Sequence, residues 1–355
     1  MTSITTQDYT IDFNNAGYEA LNKHIKKSNY SKIFILADEN TNIDCVPHVL
    51  ANLSADIEYD ILEIEPGEEQ KNLDICLGLW EALSEYGADR KSLIINIGGG
   101  VITDLGGFIA STFKRGIDFI NIPTSLLAMV DASIGGKTGI DLGTLKNQIG
   151  VINTPELIVV DINFLETLPP LEIRSGLAEM LKHGLIYSED YFNRCLNIRN
   201  LNLEELGGLI HESITIKKNI VDKDPKEQNL RKTLNYGHTL GHAIESYFME
   251  TEGKERLLHG EAIAIGMVLA NYLSVETLGF SEEKNKSIKN NLKELYGHIE
   301  FSNEDLPPII ELLKYDKKNE HGNINFVLLK SIGNPKVDCI VDNELIIKAF
   351  NFYSS

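Results

Sequence analysis

The chain lacks the features that mark secreted, membrane-spanning or nucleic-acid-binding proteins. Its four cysteines are scattered and form no CxxC pair, which disfavours a zinc knuckle or a disulfide framework and favours reduced thiols. Its 33 basic residues against 52 acidic ones give a formal net charge of −19, so nucleic acid and anionic membranes are poor partners. No uninterrupted apolar run approaches membrane-spanning length, and MTSITTQDYTIDF has neither a basic start nor an apolar stretch. We therefore expect a cytoplasmic protein.

The composition is otherwise that of an ordinary globular protein. The 355 residues are 43% hydrophobic and 24% charged, so a sizeable core is available and two domains can form. We find no internal repeat and no low-complexity tract. Net charge describes the whole surface, and a locally basic pocket remains compatible with it.

Short β-rich segments alternate with helical patterns in the first half of the chain. LDICLGLWEALSEYG (73–87) has apolar residues at helical spacing and ends in Gly87, a suitable C-terminal residue for a helix. This alternation predicts an α/β fold, a Rossmann-like parallel sheet covered by helices on both faces. The predicted strands are SKIFILAD (31–38), DIEYDILEIE (56–65), SLIINIGGG (92–100), IDFINIP (117–123) and LIVVD (157–161).

The pattern changes at Pro169-Pro170, after which helical periodicity dominates from 172 to about 318. Two β-type segments, 324–333 and 336–341, precede a last amphipathic stretch. We expect a nucleotide-binding α/β domain over 1–168 and a mainly helical, metal- and substrate-binding domain over 169–355.

Three turns at predicted strand ends indicate a nucleotide site. IINIGGGVITDLGGF (94–108) runs from a strand through three glycines into a helix, where backbone N–H groups can approach a pyrophosphate. Thr103 stands where the GxGxxG pattern has its third glycine. Asp38 and the PGEEQK turn (66–71) also follow strands, and ligands of open α/β sheets gather at that edge. Each turn alone is equally compatible with a solvated loop.

The segment PTSLLAMVDASIGGKTGIDLGTLKNQIG (123–150) carries polar groups within otherwise apolar, glycine-rich sequence. Lysines in such a setting favour anion binding, because a dry pocket strengthens charge-assisted hydrogen bonds. The polar residues are Asp131, Ser133, Lys137, Asp141, Lys146 and Asn147.

The motifs LNYGHTLGHAIE (234–245) and LLHGEAIAIGM (257–267) place three histidines in two predicted helices. His238 and His242 are four apart and share a helix face, and His259 can return from the second helix. A metal with an open coordination position usually takes three protein ligands, so a carboxylate could complete the set. Thr239 excludes the HExxH pattern of metalloproteases. The alternative is a polar helix that binds no metal.

Two further groups of charged residues accompany the histidines. In SGLAEMLKHG (175–184), Glu179 and Lys182 are three apart, so Glu179 is either a candidate metal ligand or half of a surface salt pair. Lys217 lies in a helical run. Arg231, Asn235 and His238 have the spacing of one helical face. A basic, amide-bearing face beside a metal indicates an anionic substrate.

Taken together, the motifs resemble the 3-dehydroquinate synthase family of sugar-phosphate cyclases over nearly the whole chain. GGGVITDLGGF, PTSLLAMVDASIGGKTGID, LKN, LETLP, SGLAEMLKHG, LNYGHTLGHAIE, LLHGEA and YDKK occur in that family's order. The resemblance implies metal ligands at Glu179, His238 and His259, with zinc or cobalt as the metal. It makes His242 a substrate contact instead of a ligand.

The resemblance also implies NAD as cofactor, a sugar-phosphate substrate and a homodimer. Arg115 matches a position that reaches the neighbouring subunit's site. The implied cofactor contacts are Asp38, Glu68, Lys71, Gly99, Gly100, Val101, Ile102, Thr103, Asp104, Thr124, Ser125, Lys137, Lys146, Phe164 and Thr167. The implied substrate contacts are Asp131, Lys137, Lys146, Asn147, Lys182, Lys217, Arg231, Asn235, His242 and either Lys317 or Lys318.

The implied reaction converts 3-deoxy-arabino-heptulosonate 7-phosphate to 3-dehydroquinate. It comprises transient oxidation by NAD⁺, β-elimination of phosphate, re-reduction, ring opening and an intramolecular aldol closure. The alternatives are a metal-dependent NAD polyol dehydrogenase, a sister cyclase acting on another sugar phosphate, and a non-catalytic NAD-binding regulator. A dehydrogenase would have little use for Lys137, Lys146, Asn147 and Arg231 together.

Overall fold

The computed structural model describes residues 1–54, 58–143, 145–198, 201–315 and 324–355. The chain divides into two compact units. The first comprises Met1–Ile173 and Asn202–Lys218, and the second comprises Arg174–Leu201 and Asn219–Ser355. The first unit therefore extends beyond the expected boundary at 168 and also takes a later helical segment.

The first unit contains a seven-stranded sheet and a two-stranded antiparallel hairpin, β7 and β8. The sheet order is β1-β2-β9-β6-β5-β3-β4, and every pair is parallel except β1 with β2. A parallel sheet of this kind confirms the predicted fold class. The strands are β1 (Ile4–Thr5), β2 (Thr10–Phe13), β3 (Lys32–Asp38), β4 (Tyr59–Ile64), β5 (Ser92–Gly98), β6 (Asp118–Pro123), β7 (Lys137–Leu142), β8 (Leu145–Ile152) and β9 (Leu157–Val160).

The apolar composition of the strands explains their positions in the sheet. Every residue of β5 is buried, and this strand lies between β6 and β3. A strand covered on both faces needs continuous apolar sequence, which SLIINIG largely supplies. All five predicted strands are present. The short strands β1 and β2 and the β7–β8 hairpin were not predicted, because their sequences lack a long β-type run.

Helices connect the strands of the first unit and make up most of the second. The second unit also contains a two-stranded antiparallel sheet, β10 (Phe326–Ser331) and β11 (Asn334–Cys339), where the sequence predicted β-type segments. The helices are α1 (Asn14–Ser28), α2 (Glu39–Asp44), α3 (Val46–Asn52), α4 (Leu73–Glu85), α5 (Gly100–Thr112), α6 (Pro170–Tyr187), α7 (Glu189–Leu196), α8 (Leu203–Val221), α9 (His238–Glu250), α10 (His259–Leu278), α11 (Glu282–Tyr296), α12 (Leu306–Leu312) and α13 (Asn343–Ser354).

Helix α10 is long and apolar enough to cross a membrane by length and composition alone. Within the structure, however, 67% of its apolar window is buried, as in the core helix of a globular domain. This single helix is therefore weak evidence for a membrane span.

Asp305, next to the start of α12, anchors the connection to α9 by accepting three hydrogen bonds. The donors are the Tyr247 hydroxyl (2.6 Å), Lys254 Nζ (2.9 Å) and the Ser302 N–H (2.7 Å). Burial raises the pKa of Asp305, but these donors outweigh it and lower the pKa from 3.8 to about 2. Its stabilising contribution is therefore complete above pH 3.8 and is lost as the pH falls towards 2.

We expect Asp305→Asn to lower the free energy of unfolding near neutral pH by about 1–3 kcal/mol, because the donors lose a charged acceptor. Urea unfolding near neutral pH and at about pH 3 should show the difference from the wild type shrinking in acid. Asp190→Asn is the control, since Asp190 is 81% exposed in its pair with Arg194 and should contribute almost nothing. Equal losses for the two variants would contradict the assignment.

Candidate active site

The glycine turn predicted to bind a nucleotide connects β5 to α5. Gly99 is the N-cap of α5 and provides no side-chain hydrogen bond to the first helical turn. A Cβ on Gly98 would lie 2.5 Å from Ile102 Cγ1, so the strand and the helix approach too closely for a side chain there. The Thr103 hydroxyl donates hydrogen bonds to the carbonyls of Gly99 (3.3 Å) and Gly100 (3.2 Å). Its side chain therefore contacts the backbone of the first turn of α5. The uncapped helix start behind a strand fits a pyrophosphate.

Two neighbouring strand ends place further predicted contacts at the same sheet edge. Asp38 ends β3, which pairs with β5, and its carboxylate accepts a 2.8 Å hydrogen bond from the Thr41 N–H at the start of α2. Thr124 follows β6, and its N–H donates to the Gly98 carbonyl at 3.0 Å. Ser125 accepts a hydrogen bond from the Ala128 N–H at 3.2 Å. The carboxyl ends of β3, β5 and β6 thus bring these predicted cofactor contacts to one edge of the sheet.

A cluster of charged residues lies beside this edge. Lys71 Nζ is 2.6 Å from Asp104 Oδ2, on the first turns of α5, and 2.5 Å from Asn147 Oδ1. Lys146 Nζ is 2.9 Å from Glu68 Oε1. These five residues were predicted to contact cofactor or substrate from three separate segments, and the structure brings them into one network.

Within the cluster, burial and the neighbouring opposite charge have opposing effects on the pKa of Asp104 and on that of Lys71. Burial raises the pKa of Asp104, and the ammonium of Lys71 opposes that effect. Burial lowers the pKa of Lys71, but the carboxylates of Asp104 and Glu68 outweigh it and raise the pKa above its ordinary value. The raised pKa favours the protonated form of Lys71, and the neighbouring carboxylates compensate its charge within the cluster.

The segment 123–150 contributes a second charged pair. Asp131 lies in a short π-helix, Ala128–Ala132, a rare geometry that often marks functional sites. Lys217, on α8 and 7% exposed, donates to the Asp131 carbonyl (2.6 Å) and carboxylate (2.7 Å). Lys137 begins the β7–β8 hairpin and is partly buried. The described residues of the predicted anion-binding segment thus include a short π-helix and the two strands of a hairpin.

In the second unit, small residues bring α6, α9 and α10 into close contact. A Cβ on Gly260 would lie 2.3 Å from the Ser175 carbonyl oxygen, and the Ser175 hydroxyl accepts a hydrogen bond from the Gly260 N–H at 3.0 Å. A Cβ on Gly266 would lie 2.0 Å from the Gly237 carbonyl oxygen. Only glycine permits such approaches, and they set the first residues of α9 and α10, His238 and His259, close to α6.

Three ligand-grade atoms converge at this helix junction. Glu179 Oε1, on α6, is 3.3 Å from His238 Nε2 and 3.4 Å from His259 Nε2. Glu179 is completely buried, and its Oε1 has no hydrogen-bond partner among the described residues. A buried carboxylate oxygen facing two imidazole nitrogens fits a divalent metal, which would satisfy all three atoms.

Neighbouring groups orient the two imidazoles. His238 Nδ1 is 3.1 Å from the Tyr236 carbonyl, and His259 Nδ1 is 3.2 Å from Glu245 Oε2. Each ring therefore turns its Nε2 towards Glu179, as in metal centres where outer groups fix the tautomer of a ligand histidine. Sequence reasoning missed both partners, although Glu245 lies in the same HAIE motif as the second histidine.

Burial and neighbouring charges shift the pKa of each of the three residues. Burial raises the pKa of Glu179, but Lys182 and His238 outweigh it and hold the pKa well below its usual range, and Lys182 Nζ donates to Glu179 Oε2. Burial lowers the pKa of His238, and Glu179 opposes this effect. Burial also lowers the pKa of His259, but Glu245 and Glu179 together raise it to about 10. The carboxylate is therefore ionised and available as a ligand.

His242 makes a second three-residue set possible. Potential ligand atoms of His238, His242 and His259 all lie within 4.8 Å of one another. Glu179 suits the third position better, because its charge offsets that of a cation and its Oε1 faces both Nε2 atoms. His242 then remains beside the metal position as a candidate substrate contact.

The predicted helical face of Arg231, Asn235 and His238 is wrong. Arg231 and Asn235 lie on a separate 3-10 helix, Leu230–Asn235. Gly237, with φ of 78°, has a left-handed backbone conformation that separates this helix from α9. Arg231, 1% exposed, donates from Nη1 to the Pro225 carbonyl at 2.8 Å. Asn235 donates to Glu227 at 2.9 Å. Both residues therefore belong to the second unit, but they do not lie on the helix of His238 and His242.

Arg115 ends the short 3-10 helix Phe113–Arg115, which follows α5 in the first unit. Its backbone has φ of 72°, a left-handed conformation that is unusual for a residue with a side chain. It lines a surface pocket of about 350 Å³ together with Asp118, Asn153 and Glu156. Lys317 and Lys318 fall outside the described residues.

Comparison with known proteins divides the chain near residue 175. Family models of 3-dehydroquinate synthase match residues 61–175 for the N-terminal region and 176–319 for the C-terminal region. A 3-dehydroquinate synthase from Parabacteroides distasonis is 45% identical over 327 residues, covering 91% of this chain and 92% of that protein. The chain belongs to the 3-dehydroquinate synthase family. Another family member, from Thermoanaerobacter pseudethanolicus, is 39% identical over 337 residues and covers 92% of both chains.

Solved structures show the same family fold. A 2-deoxy-scyllo-inosose synthase complexed with carbaglucose-6-phosphate, NAD⁺ and Co²⁺ matches with a TM-score of 0.84 at 25% identity, covering 99% of both chains. A 2-epi-5-epi-valiolone synthase from Streptomyces hygroscopicus with NAD⁺ and Zn²⁺ bound matches with a TM-score of 0.85 at 23% identity, covering 100% of this chain and 99% of that one. The second likeness supports the fold alone.

Proposed function

We propose that the protein is a carbon–oxygen lyase that converts 3-deoxy-D-arabino-heptulosonate 7-phosphate to 3-dehydroquinate and phosphate. The observation that carries this proposal is the Glu179 carboxylate facing two oriented imidazoles within a chain of the 3-dehydroquinate synthase family. The reaction comprises transient oxidation, β-elimination of phosphate, re-reduction, ring opening and aldol closure. It belongs to the shikimate pathway, which leads to the aromatic amino acids.

The two proposed cofactors are NAD⁺ and a divalent metal, zinc or cobalt. NAD⁺ supplies a hydride acceptor that returns the hydride later, and the metal supplies a Lewis acid for hydroxyl groups. The uncapped start of α5 at Gly99 would bind the pyrophosphate, and Asp38 would accept hydrogen bonds from ribose hydroxyls. Glu179, His238 and His259 would hold the metal. The solved neighbour complexed with NAD⁺ and Co²⁺ supports the choice of these two cofactors.

The charged residues around these sites suit a substrate with a phosphate and a carboxylate. Lysine ammonium groups and the Arg231 guanidinium form strong hydrogen bonds with such anions when water is excluded. Holding both anionic ends orients the sugar ring so that oxidation and elimination occur at the correct carbons. The proposed substrate contacts are Asp131, Lys137, Lys146, Asn147, Lys182, Lys217, Arg231, Asn235 and His242. Lys317 or Lys318 would join them.

Two properties of the protein in the cell complete the proposal. Arg115 would reach the site of a second subunit in a homodimer, which its exposed turn would permit. The enzyme would be cytoplasmic, where its sugar-phosphate substrate and NAD are available. The four scattered cysteines form no disulfide, which is compatible with this compartment.

Phosphate release under limiting NAD⁺ tests the proposal. The purified protein is incubated with the heptulosonate phosphate, zinc and substoichiometric NAD⁺ while phosphate, NADH absorbance and the carbocyclic product are followed. We expect many phosphates per NAD⁺, formation of dehydroquinate and no lasting NADH, because the hydride is returned in each turnover. NADH accumulation with simple polyols and no phosphate release would instead indicate a metal-dependent polyol dehydrogenase.

A further inference from the structure

A buried hydrogen-bond network in the first unit centres on Asp161, which directly follows β9. Asp161 is 1% exposed. Its Oδ2 accepts hydrogen bonds from the Tyr18 hydroxyl at 3.0 Å and from His48 Nε2 at 2.9 Å. Its Oδ1 accepts from the Asn163 N–H at 3.1 Å and from the Asn163 side-chain amide at 2.9 Å. Both carboxylate oxygens are thus satisfied, and the network joins α1, α3 and the turn after β9.

Two of the proposed cofactor contacts lie in this turn: Phe164, within the 3-10 helix Ile162–Glu166, and Thr167, its C-cap. The Phe164 N–H donates to the Asp161 carbonyl at 3.3 Å. The Thr167 hydroxyl donates to the Phe164 carbonyl at 3.2 Å. The positions of Phe164 and Thr167 therefore depend on how Asp161 is held.

His48 contacts the turn in two ways. Its imidazole donates to Asp161, and its ring meets the ring of Phe164 edge-on, with centroids 5.6 Å apart and planes at 85°. The His48 side chain is nevertheless 44% exposed, whereas that of Asp161 is 2% exposed, so His48 does not fill the core. A residue with little burial and two directed contacts has a larger effect on local geometry than on global stability.

The segment formed by α2 and α3, which carries His48, begins directly after Asp38, another proposed cofactor contact. Asp38 caps α2, and α3, which carries His48, follows α2 after a single residue. One segment therefore joins the ribose contact to the turn that bears Phe164 and Thr167. We propose that His48 is a positioning residue for the dinucleotide site and acts by holding Asp161 and its turn in the cofactor-binding conformation. This inference depends on the NAD⁺ site of the proposed function.

Calorimetric titration of the metal-loaded protein with NAD⁺ tests the inference. We expect His48→Ala to weaken NAD⁺ binding by about fivefold to tenfold, as is common when a supporting contact is lost. The KM for NAD⁺ should rise by a similar factor, while kcat at saturating NAD⁺ and the thermal midpoint stay near the wild-type values. A purely structural role would instead lower the thermal midpoint and leave NAD⁺ affinity unchanged, which would overturn the inference.

Two substitutions distinguish the hydrogen bond from the ring contact. His48→Gln retains an N–H donor for Asp161 and should restore NAD⁺ affinity to within about threefold of the wild type, since a neutral donor can replace the imidazole. His48→Phe retains an aromatic ring but no donor and should bind NAD⁺ as weakly as His48→Ala. Wild-type affinity in His48→Phe would overturn the proposed action through Asp161.

His24→Ala is the matched control. His24 is a partly buried histidine of the same unit, 2.8 Å from the Tyr30 hydroxyl and outside the network of Asp161. The His24→Ala variant should bind NAD⁺ like the wild type. A loss of NAD⁺ affinity equal to that of His48→Ala would overturn the inference. If the wild-type protein binds NAD⁺ but releases no phosphate, the proposed function is refuted. The NAD⁺ titrations of the His48 variants then still decide whether His48 positions the dinucleotide site. A wild-type protein that binds no NAD⁺ would refute both.

Discussion

Glu179→Ala is expected to remove the bound metal and abolish turnover. The substitution deletes the carboxylate oxygen that faces both His238 Nε2 and His259 Nε2. The two remaining imidazoles are an incomplete ligand set for the metal. We expect phosphate release to fall by at least on the order of a thousandfold, because electrostatic stabilisation by a metal contributes several kcal/mol. Elemental analysis after dialysis and zinc titration by calorimetry measure the metal, and the phosphate assay measures turnover.

A second ligand variant separates metal loss from misfolding. Glu179→Ala also removes the ion pair that Glu179 makes with Lys182, whose side chain is 1% exposed, and this loss can destabilise the unit. The His259 side chain is 26% exposed, so His259→Asn should fold and still lose metal and activity. Glu189→Ala, in an exposed pair with Lys284, is the matched control. Full activity with full metal content in either ligand variant would refute the ligand set.

The second large effect is expected for Lys71→Met in the first unit. Lys71 is 4% exposed and is the cation 2.6 Å from Asp104, which is itself 17% exposed. Removing one partner of a buried pair typically costs about 3–5 kcal/mol, because the remaining charge stays buried without compensation. Urea unfolding should show a loss of this size, and calorimetry should show weakened NAD⁺ binding. Lys284→Met, on an exposed pair, should change the free energy of unfolding by less than about 0.5 kcal/mol.

The double variant Lys71→Met with Asp104→Leu separates stability from binding. Replacing a whole buried pair by apolar groups is often neutral, so the free energy of unfolding should recover. NAD⁺ binding should stay weak, because both residues are proposed cofactor contacts. Recovery of NAD⁺ affinity together with stability would show that Lys71 has only a structural role.

The sequence alone determined the fold class and the segments that carry the chemistry. Burial on both faces imposes continuous apolar sequence on a central strand, so SLIINIGGG could be recognised as a strand that ends in a glycine turn. Likewise, the GHTLGHAIE and LLHGEA motifs placed histidines at two helices, which the structure begins at His238 and His259. Residue patterns report such local features because they arise from contacts between near neighbours in the chain.

Tertiary structure decided which of these residues meet. Glycine at 260 lets α10 approach Ser175, and this packing brings Glu179 to His259 from a distant part of the chain. The left-handed turn at Gly237 separates Arg231 from the histidine helix, although their spacing was helical. The contacts of Glu245, His48 and Asp161 are likewise found only in the packed structure. Helical spacing describes one face of one element, whereas a site depends on close packing between elements that no periodicity encodes.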